Sequence, residues 1–141
     1  MPRIPDEFHA VIEAAVEKAQ QLEEIPVPHM KADLCVVNFY EKGGRLGLHQ
    51  DKDETQDSLT KGVPVVSFSI GDDAEFLFHD TKRADQAQKI TLKSGDVLIM
   101  GGESRMLYHG VKKIKLNSAP TSLINATHLR PGRLNLTFRK Y

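Results

Sequence analysis

The sequence predicts a mainly β protein, an antiparallel sandwich or barrel of the jelly-roll kind, with one α-helix at its N-terminal end. Three features predict this class. Apolar residues recur at helical spacing in only one segment, residues 6–24. The rest of the chain has the pattern of about eight short strands. Turn residues separate those strands, and no second helical pattern lies between them. We therefore expect a single domain over residues 1–141, with its β core over about residues 33–141.

The predicted helix comes first, after Pro5. Its apolar residues share one face: Phe8, Val11, Ile12, Ala15, Val16, Ala19 and Leu22. The segment Ile25-Pro-Val-Pro28 ends it, because proline cannot continue a helix and restricts the residue before it. The predicted strands then follow at about residues 33–40, 45–50, 63–71, 74–79, 88–93, 96–100, 104–109 and 133–140. The turns between them contain Gly43-Gly44, Gly71-Asp-Asp73, Ser94-Gly95 and Gly101-Gly102.

Composition narrows the class of protein. Of the 141 residues, 40% are hydrophobic and 27% charged, as in an ordinary globular domain. Apolar runs near 18 residues are missing, so the sequence predicts no membrane-spanning helix. The single cysteine, Cys35, excludes a disulfide framework and suits a reducing compartment, where it serves as a small apolar side chain. We therefore expect an intracellular protein, in the nucleus or cytoplasm, and a monomer.

The charge is zero overall but unevenly distributed. Residues 1–78 contain 7 basic and 15 acidic side chains, whereas residues 79–141 contain 12 basic and 4 acidic ones. A basic half is what a phosphate-binding surface needs. A basic face that only contacts solvent is the alternative.

Two histidines and one aspartate form the candidate metal site. His49 and Asp51 are two residues apart on a strand-like segment, so both side chains should point to the same side of a sheet, and His109 must arrive from a distant strand. Two imidazoles and one carboxylate are the ligand set of non-haem iron(II) oxygenases. The spacing alone is common, and these residues could instead be an exposed polar strand face and a core histidine. The other histidines have no comparable context: His9, His29, His79 and His128.

The segments around these residues closely resemble, in order, the AlkB family of iron(II)- and 2-oxoglutarate-dependent dioxygenases, which remove alkyl groups from nucleic-acid bases. The resemblance extends from about Pro2 to Tyr141. Its segments are Val37-Asn-Phe-Tyr40, Leu48-His-Gln-Asp-Lys-Asp-Glu54, Pro64-Val-Val-Ser-Phe-Ser-Ile-Gly71, Ser94-Gly-Asp-Val-Leu-Ile-Met-Gly-Gly-Glu-Ser-Arg105 and Arg133-Leu-Asn-Leu-Thr-Phe-Arg139. It implies a double-stranded β-helix, an enzyme of DNA repair or of DNA or RNA demethylation, and the use of iron(II), 2-oxoglutarate and O₂.

The resemblance also implies roles for individual residues. His49, Asp51 and His109 would hold the iron at the catalytic centre. Arg133 would bind the distal carboxylate of 2-oxoglutarate with Tyr40 and Asn135, and Arg139 with Asn38 would contact the iron-bound end. The even spacing of these residues within each strand agrees with this placement, because it puts them on one side of the barrel, and arginine recognises carboxylates bidentately. Two surface arginines are the alternative for Arg133 and Arg139.

Two further residues are candidate substrate contacts. Asp53 could favour the positive charge of a base alkylated at a ring nitrogen, such as 1-methyladenine or 3-methylcytosine. Arg83 aligns with a family position that contacts a nucleotide phosphate, although Lys82 and Arg83 could equally be solvated turn residues. Enzymes that act on a base flip it out or use single strands, so we expect single-stranded nucleic acid, DNA or RNA.

The chain departs from the family at its N-terminal end. Family members have a long segment before the helix that covers the nucleotide and supplies an aromatic partner for the base. This chain begins at the helix and contains no Trp. We therefore expect a fragment or short form with impaired substrate binding. Two alternatives stay open: a hydroxylase of a protein or small molecule, and an inactive metal-binding fragment, against which the complete set of site residues argues.

Overall fold

The structure is a computed structural model that describes residues 2–22 and 27–141. Its α-helices are α1 (Asp6–Leu22), α2 (Gln56–Lys61) and α3 (Thr121–Thr127). Its strands are β1 (Leu34–Tyr40), β2 (Leu46–His49), β3 (Val65–Gly71), β4 (Asp73–His79), β5 (Gln88–Leu92), β6 (Val97–Met100), β7 (Tyr108–Lys115) and β8 (Arg133–Arg139). Two short 3₁₀ segments are Ala84–Gln86 and Gly102–Met106. None of the described helices is long and apolar enough to cross a membrane.

The strands form two four-stranded antiparallel sheets, in the orders β1-β8-β3-β6 and β2-β7-β4-β5. Except for β4 and β5, which are neighbours in one sheet, consecutive strands alternate between the sheets, and one central strand of each sheet, β8 or β7, comes late in the chain. Side chains of both sheets line one cavity between them. This arrangement confirms the predicted mainly β jelly roll.

The first sheet has its apolar face on the outside. Along β8, the residues that line the cavity between the sheets are Arg133, Asn135, Thr137 and Arg139. The alternate residues point the other way, since side chains alternate along a strand. Phe138 there packs with Ile12 and Val16 of α1 in a buried cluster that also contains Met30, Ala32 and Val66, with Cys35 packed against it. Helix α1 thus covers apolar surface on the outer face, and the cavity-facing residues of β8 on the inner face are polar.

A second apolar cluster joins the two sheets beside the cavity. Its buried members are Ala74, Phe76, Leu92, Met100 and Val111, and Tyr40 and Leu98 pack against it. Strands of both sheets contribute, so this cluster holds the sheets together at one end while the polar side chains occupy the remaining space.

The strand predicted at about residues 104–109 is wrong. Residues 102–106 form a 3₁₀ segment, and β7 begins at Tyr108 and continues to Lys115. Its lysine-rich second half pairs with β4, with Lys113 opposite Glu75 and Lys115 opposite Asp73. Cross-strand charge pairs stabilise this half of the strand. Because its residues are mostly charged, a search for alternating apolar residues could not detect it.

The prediction of no helix beyond α1 is also wrong. Helix α2 has a Thr55 cap whose side chain accepts a hydrogen bond from the Ser58 N–H at 3.2 Å, and it ends at Gly62 with φ of +69°. It has no buried residue, so it lacked the apolar periodicity that predicts helices. Helix α1 ends at Leu22 among the described residues; the predicted residues 23 and 24, and Ile25 and Pro26 of the predicted break, lie outside them.

Candidate metal and anion site

His49 and His109 are brought together by strand pairing. His49 is the last residue of β2, and its partner across the ladder on β7 is His109. The ring centroids are 4.5 Å apart. Asp51 faces both rings, with Oδ1 3.4 Å from His49 Nε2 and Oδ2 3.4 Å from His109 Nε2. The three donor atoms lie within 4.8 Å of one another, the spacing that one metal ion requires.

The second nitrogen of each imidazole is bound to the backbone. His49 Nδ1 lies 2.9 Å from the Gly47 carbonyl oxygen, and His109 Nδ1 lies 3.1 Å from that of Leu107. Because a carbonyl only accepts, Nδ1 must donate its hydrogen, which leaves the lone pair on Nε2 facing Asp51. This is how proteins orient metal-binding histidines. Two imidazoles and one carboxylate so arranged fit iron(II) and leave further coordination positions open.

Asp51 is held in its ionised form. Burial alone would raise the pKa of its carboxyl, but interaction with His109 and the charges of Arg139 and His49 outweigh burial and lower the pKa to about 2. A carboxylate that is already deprotonated can bind a metal without first releasing a proton.

Asp51 reaches the histidines although it does not lie on a strand. The predicted strand at about residues 45–50 ends at His49, and the pairing of β2 with β7 shifts register between Leu46 and His49. The backbone after the strand is fixed by Arg105, whose Nη1 donates to the Asp51 carbonyl at 2.6 Å and whose Nε donates to the Val63 carbonyl at 3.0 Å. The predicted convergence of His49 and Asp51 is thus achieved by a buried arginine and not by strand alternation.

A buried chain of charges lies behind the candidate metal ligands. Glu54 Oε1 is 2.8 Å from Arg105 Nη2 and 3.5 Å from Arg139 Nη1, and Arg139 Nη2 is 3.4 Å from Asp51 Oδ2. The side chains of Arg105 and Glu54 are 2% and 1% exposed. Sequence reasoning gave neither residue a role. Both lie in segments that carry the family resemblance, and this was the available signal for them. No sequence pattern showed that the two side chains, about fifty residues apart, form an ion pair.

Arg133 lies at the other end of the cavity. It is 2% exposed, its Nη2 donates to Ser69 Oγ at 2.9 Å, and its Cζ lies 5.6 Å from the centre of the Tyr40 ring. Burial lowers the pKa of Arg133, and Tyr40 partly opposes this. Within the described part of the chain, no carboxylate forms an ion pair with it, and its Nε has no hydrogen-bond partner. A buried guanidinium without a counter-ion is costly, so this end of the cavity fits a carboxylate ligand.

Between these two ends the cavity is lined by hydrogen-bonded polar groups. Asn135 Nδ2 donates to Ser67 Oγ at 2.5 Å and to the Phe68 carbonyl at 3.2 Å, while Thr137 Oγ1 donates to Asn135 Oδ1 at 2.7 Å. Ser67, Ser69 and Thr137 were not among the predicted site residues, although their alternation along β3 and β8 could have shown them. These bonds fix the amide of Asn135 beside Arg133.

The structure places the predicted residues in two groups. The cavity, of about 100 Å³, is lined by every predicted metal and co-substrate residue: Asn38, Tyr40, His49, Asp51, His109, Arg133, Asn135 and Arg139. The predicted substrate residues are not among its lining residues: Asp53 is exposed, and Arg83 is 63% exposed with Nη2 3.5 Å from Asp85. A larger groove, of about 760 Å³ and mostly apolar, lies between α1 and β6 and contains no metal-ligand group of the site.

Comparison with known proteins agrees with this geometry. Residues 1–139 match the family model described as the 2OG-Fe(II) oxygenase superfamily. The chain is 54% identical to the DNA N(6)-methyladenine demethylase ALKBH1C of Arabidopsis thaliana, over 99% of this chain and 33% of the relative. It is 37% identical to the alpha-ketoglutarate-dependent dioxygenase AlkB of Escherichia coli (strain K12), over 99% of this chain and 56% of the relative.

A solved structure gives the same result. The structure described as "The structure of OsALKBH1" superposes with a TM-score of 0.94 at 51% identity, over 99% of this chain and 67% of that chain. The likeness extends across the helix and both sheets. The chain spans less than two thirds of the length of either curated relative.

Proposed function

We propose, since the chain belongs to the 2OG-Fe(II) oxygenase superfamily as an AlkB-like member, that it is the catalytic core of an enzyme that oxidatively dealkylates nucleic-acid bases. Membership of this family confirms the prediction from the sequence. The observation that supports the proposal most is that one cavity joins a three-donor metal site to a buried arginine without a carboxylate partner. A metal and a dicarboxylate are the two ligands that such a cavity can bind together.

The residues of the cavity have separate tasks in this proposal. Bound iron(II), with 2-oxoglutarate and O₂, supplies the oxidation that hydroxylates an N-alkyl carbon, after which the alkyl group leaves as an aldehyde. His49, Asp51 and His109 hold the metal. Arg133 binds the distal carboxylate of 2-oxoglutarate, beside Tyr40 and Asn135.

Arg139 acts at the metal end of the cavity. Its contacts of 3.4 Å with Asp51 and 3.5 Å with Glu54 leave its guanidinium beside the position that the iron-bound end of 2-oxoglutarate would occupy. Asn38 lines the same side of the cavity from β1, opposite Asn135 in the strand pairing. Together these residues orient the co-substrate along the axis from Arg133 to the metal ligands.

The proposed substrate is single-stranded DNA or RNA. The Arabidopsis relative is named a DNA N(6)-methyladenine demethylase, which supports methylated adenine as the base. The surplus of basic residues after residue 78 supports nucleic acid over a protein or small-molecule substrate. We further propose that the chain acts as a monomer and that its location is the nucleus or cytoplasm.

Two classes of base can be separated by charge. At neutral pH 1-methyladenine and 3-methylcytosine are cationic, whereas N6-methyladenine is neutral. Asp53, two residues after Asp51 and exposed, would favour the cationic bases by attraction and would not affect the neutral one. We propose on this ground that Asp53 gives the chain a preference for the cationic bases.

The experiment is a demethylation assay on single strands that carry one of the three bases, with mass spectrometry of the strand and measurement of released formaldehyde. Loss of one methyl group from a small fraction of the strands is expected, and this loss should depend on iron(II) and 2-oxoglutarate and be absent from Asp51→Ala. Asp53→Asn should weaken activity on the cationic bases only, whereas Asp57→Asn, an exposed carboxylate paired with Lys61 at 2.9 Å, should change nothing. No methyl loss from any strand, with 2-oxoglutarate still consumed, would contradict the nucleic-acid substrate.

A further inference from the structure

Asp72 is a buried carboxylate outside the cavity. It lies at the corner where the chain leaves β3 and enters β4, and it is 2% exposed. Its Oδ1 accepts hydrogen bonds from the N–H groups of Ser118 at 3.0 Å and Ala119 at 2.8 Å, and its Oδ2 accepts one from Gly132 at 2.8 Å. One side chain therefore binds both ends of the 116–132 connection between β7 and β8.

Gly132 is fixed from both sides by this corner. In addition to the bond to Oδ2, its carbonyl accepts a hydrogen bond from the Asp72 N–H at 2.8 Å. The φ of Gly132 is +141°, and a Cβ atom at this position would lie 2.5 Å from the Tyr40 carbonyl oxygen. The backbone just before β8 thus has almost no freedom to shift against β1 or the corner.

The next residue in the chain is Arg133. Its Cα pairs with Tyr40 on one side and Gly71 on the other, and its side chain lines the cavity and donates to Ser69 of β3. The position of the guanidinium therefore depends on where β8 begins. A displacement of about 1 Å in a ligand-positioning group can cost up to roughly a hundredfold in function.

We propose that Asp72 is a positioning residue for 2-oxoglutarate binding: by fixing Gly132 it sets the point at which Arg133 enters the cavity. This inference rests on the proposed role of Arg133. Asp72 touches neither the metal ligands nor the cavity, so it acts through the backbone and not on the reaction.

The position requires a carboxylate because three N–H donors converge on it. A carboxylate only accepts, so both oxygens can be satisfied, and bonds to an ionised acceptor are stronger than neutral ones. Asparagine has the same size but one oxygen and one NH₂ group. Whichever way its amide is turned, the NH₂ group faces at least one backbone N–H, so Asp72→Asn breaks the bond to Gly132 or those to Ser118 and Ala119.

The test is calorimetric titration of 2-oxoglutarate into the chain loaded with Mn²⁺, a redox-inert substitute for iron(II) here. Asp72→Asn should raise the Kd for 2-oxoglutarate by about tenfold, within the range for misplaced positioning groups, and leave the Kd for Mn²⁺ within about twofold of the wild type. Asp73→Asn is the matched control, since Asp73 lies next in the chain but faces the lysines of β5 and β7, and it should bind both ligands normally. A folded Asp72→Asn variant with unchanged 2-oxoglutarate affinity would overturn the inference.

A second measurement uses the unaltered chain, in case Asp72→Asn does not fold. Binding effects are reciprocal, so if the bond from Gly132 to Asp72 supports Arg133, then 2-oxoglutarate should slow hydrogen exchange at the Gly132 amide. Exchange at Gly132 that does not respond to 2-oxoglutarate would also overturn the inference.

The Arg133→Lys variant separates the positioning role of Asp72 from the proposed role of Arg133 in binding 2-oxoglutarate. Weak binding of 2-oxoglutarate by Arg133→Lys with normal binding by Asp72→Asn would reject the positioning role alone. Normal binding by Arg133→Lys would reject the proposed role of Arg133, and the positioning role of Asp72 with it.

Discussion

At the scale of single residues, the opposite charges in the cavity have different partners. Asp51 lies beside His49, His109 and Arg139, and their combined effect lowers its pKa to about 2 in spite of burial. Arg133 is more deeply buried but, among the described residues, no carboxylate forms an ion pair with it. The first arrangement keeps a metal ligand ionised, and the second leaves a cation to be neutralised by a bound anion.

Replacement of Arg133 by lysine should raise the concentration of 2-oxoglutarate needed for half-maximal turnover by tenfold or more. A point-charge ammonium cannot form two parallel bonds with a carboxylate, and the loss of a charge-assisted hydrogen bond costs about 1–3 kcal/mol. Arg130→Lys is the control, because Arg130 is 68% exposed and pairs with Glu41 at 3.1 Å. Equal effects at the two positions would place the carboxylate site elsewhere.

Replacement of Arg105 by methionine should destabilise the fold and the metal site together. Arg105 and Glu54 are both almost fully buried, and removal of one partner of such a pair costs about 3–5 kcal/mol, since the buried charge of Glu54 would keep only the longer contact of 3.5 Å with Arg139. The Asp51 carbonyl also loses its bond at 2.6 Å. Denaturant unfolding would measure the first effect and metal titration the second. A variant as stable as the wild type would show that Glu54 needs no buried partner.

At the scale of the strands and helices, the sequence predicted which face of β8 carries the site residues, but it did not predict how Asp51 is positioned. The spacing of Arg133, Asn135 and Arg139 was sufficient, because side-chain alternation holds on any regular strand. The position of Asp51 was not predictable in the same way. Asp51 follows β2, and its placement depends on Arg105, whose contact with it no local pattern encodes.

The short helices were missed for a related reason. The cap of α2 by Thr55 and Gly62 is local and could have been found, but α2 and α3 have no buried residue and so no apolar period. By contrast, α1 was predicted well because its packing against the first sheet requires an apolar stripe. The sequence therefore predicts best those elements that contribute to an apolar core.

Two neighbouring positions of α1 should differ sharply in stability. Ile12 is 2% exposed and packs in the cluster with Phe138, so Ile12→Ala should lower the free energy of unfolding by about 2–5 kcal/mol. Val11 is 51% exposed, and Val11→Ala should change it by less than about 0.5 kcal/mol. Urea denaturation of both variants is the measurement. Similar midpoints for the two would mean that α1 does not cover the sheet as described.

At the scale of the whole molecule, co-substrate and nucleic acid place different demands on the chain. The cavity encloses the co-substrate residues, whereas Asp53 and Arg83 are exposed outside it. We therefore expect residues 1–141 to bind the proposed co-substrate well and the base weakly. The charge distribution supports a general attraction for phosphates, which gives no choice of base.

Residues 1–141 should accordingly form succinate from 2-oxoglutarate with only slight stimulation by a methylated strand. Base stacking on an aromatic side chain contributes about 1–3 kcal/mol, and the Phe and Tyr rings that line the cavity, Phe76 and Tyr40, are already part of the second apolar cluster or packed against it. Succinate and formaldehyde, measured in the same reaction, report the coupling. Equal amounts of the two products would show that the core holds its base firmly by itself.

Metal binding tests the central claim most directly, because every other assignment depends on the site formed by His49, Asp51 and His109. The measurement is anaerobic titration of iron(II), in the presence of 2-oxoglutarate, into the wild type, Asp51→Ala and Asp57→Ala. The wild type and the exposed control Asp57→Ala should each bind one iron per chain. Asp51→Ala should lose at least about tenfold in affinity for iron(II). Mutation of a residue that only hydrogen-bonds to a metal ligand already costs about tenfold or more, so loss of a ligand itself should cost at least as much. Iron bound by Asp51→Ala with the stoichiometry and affinity of the wild type would contradict the account.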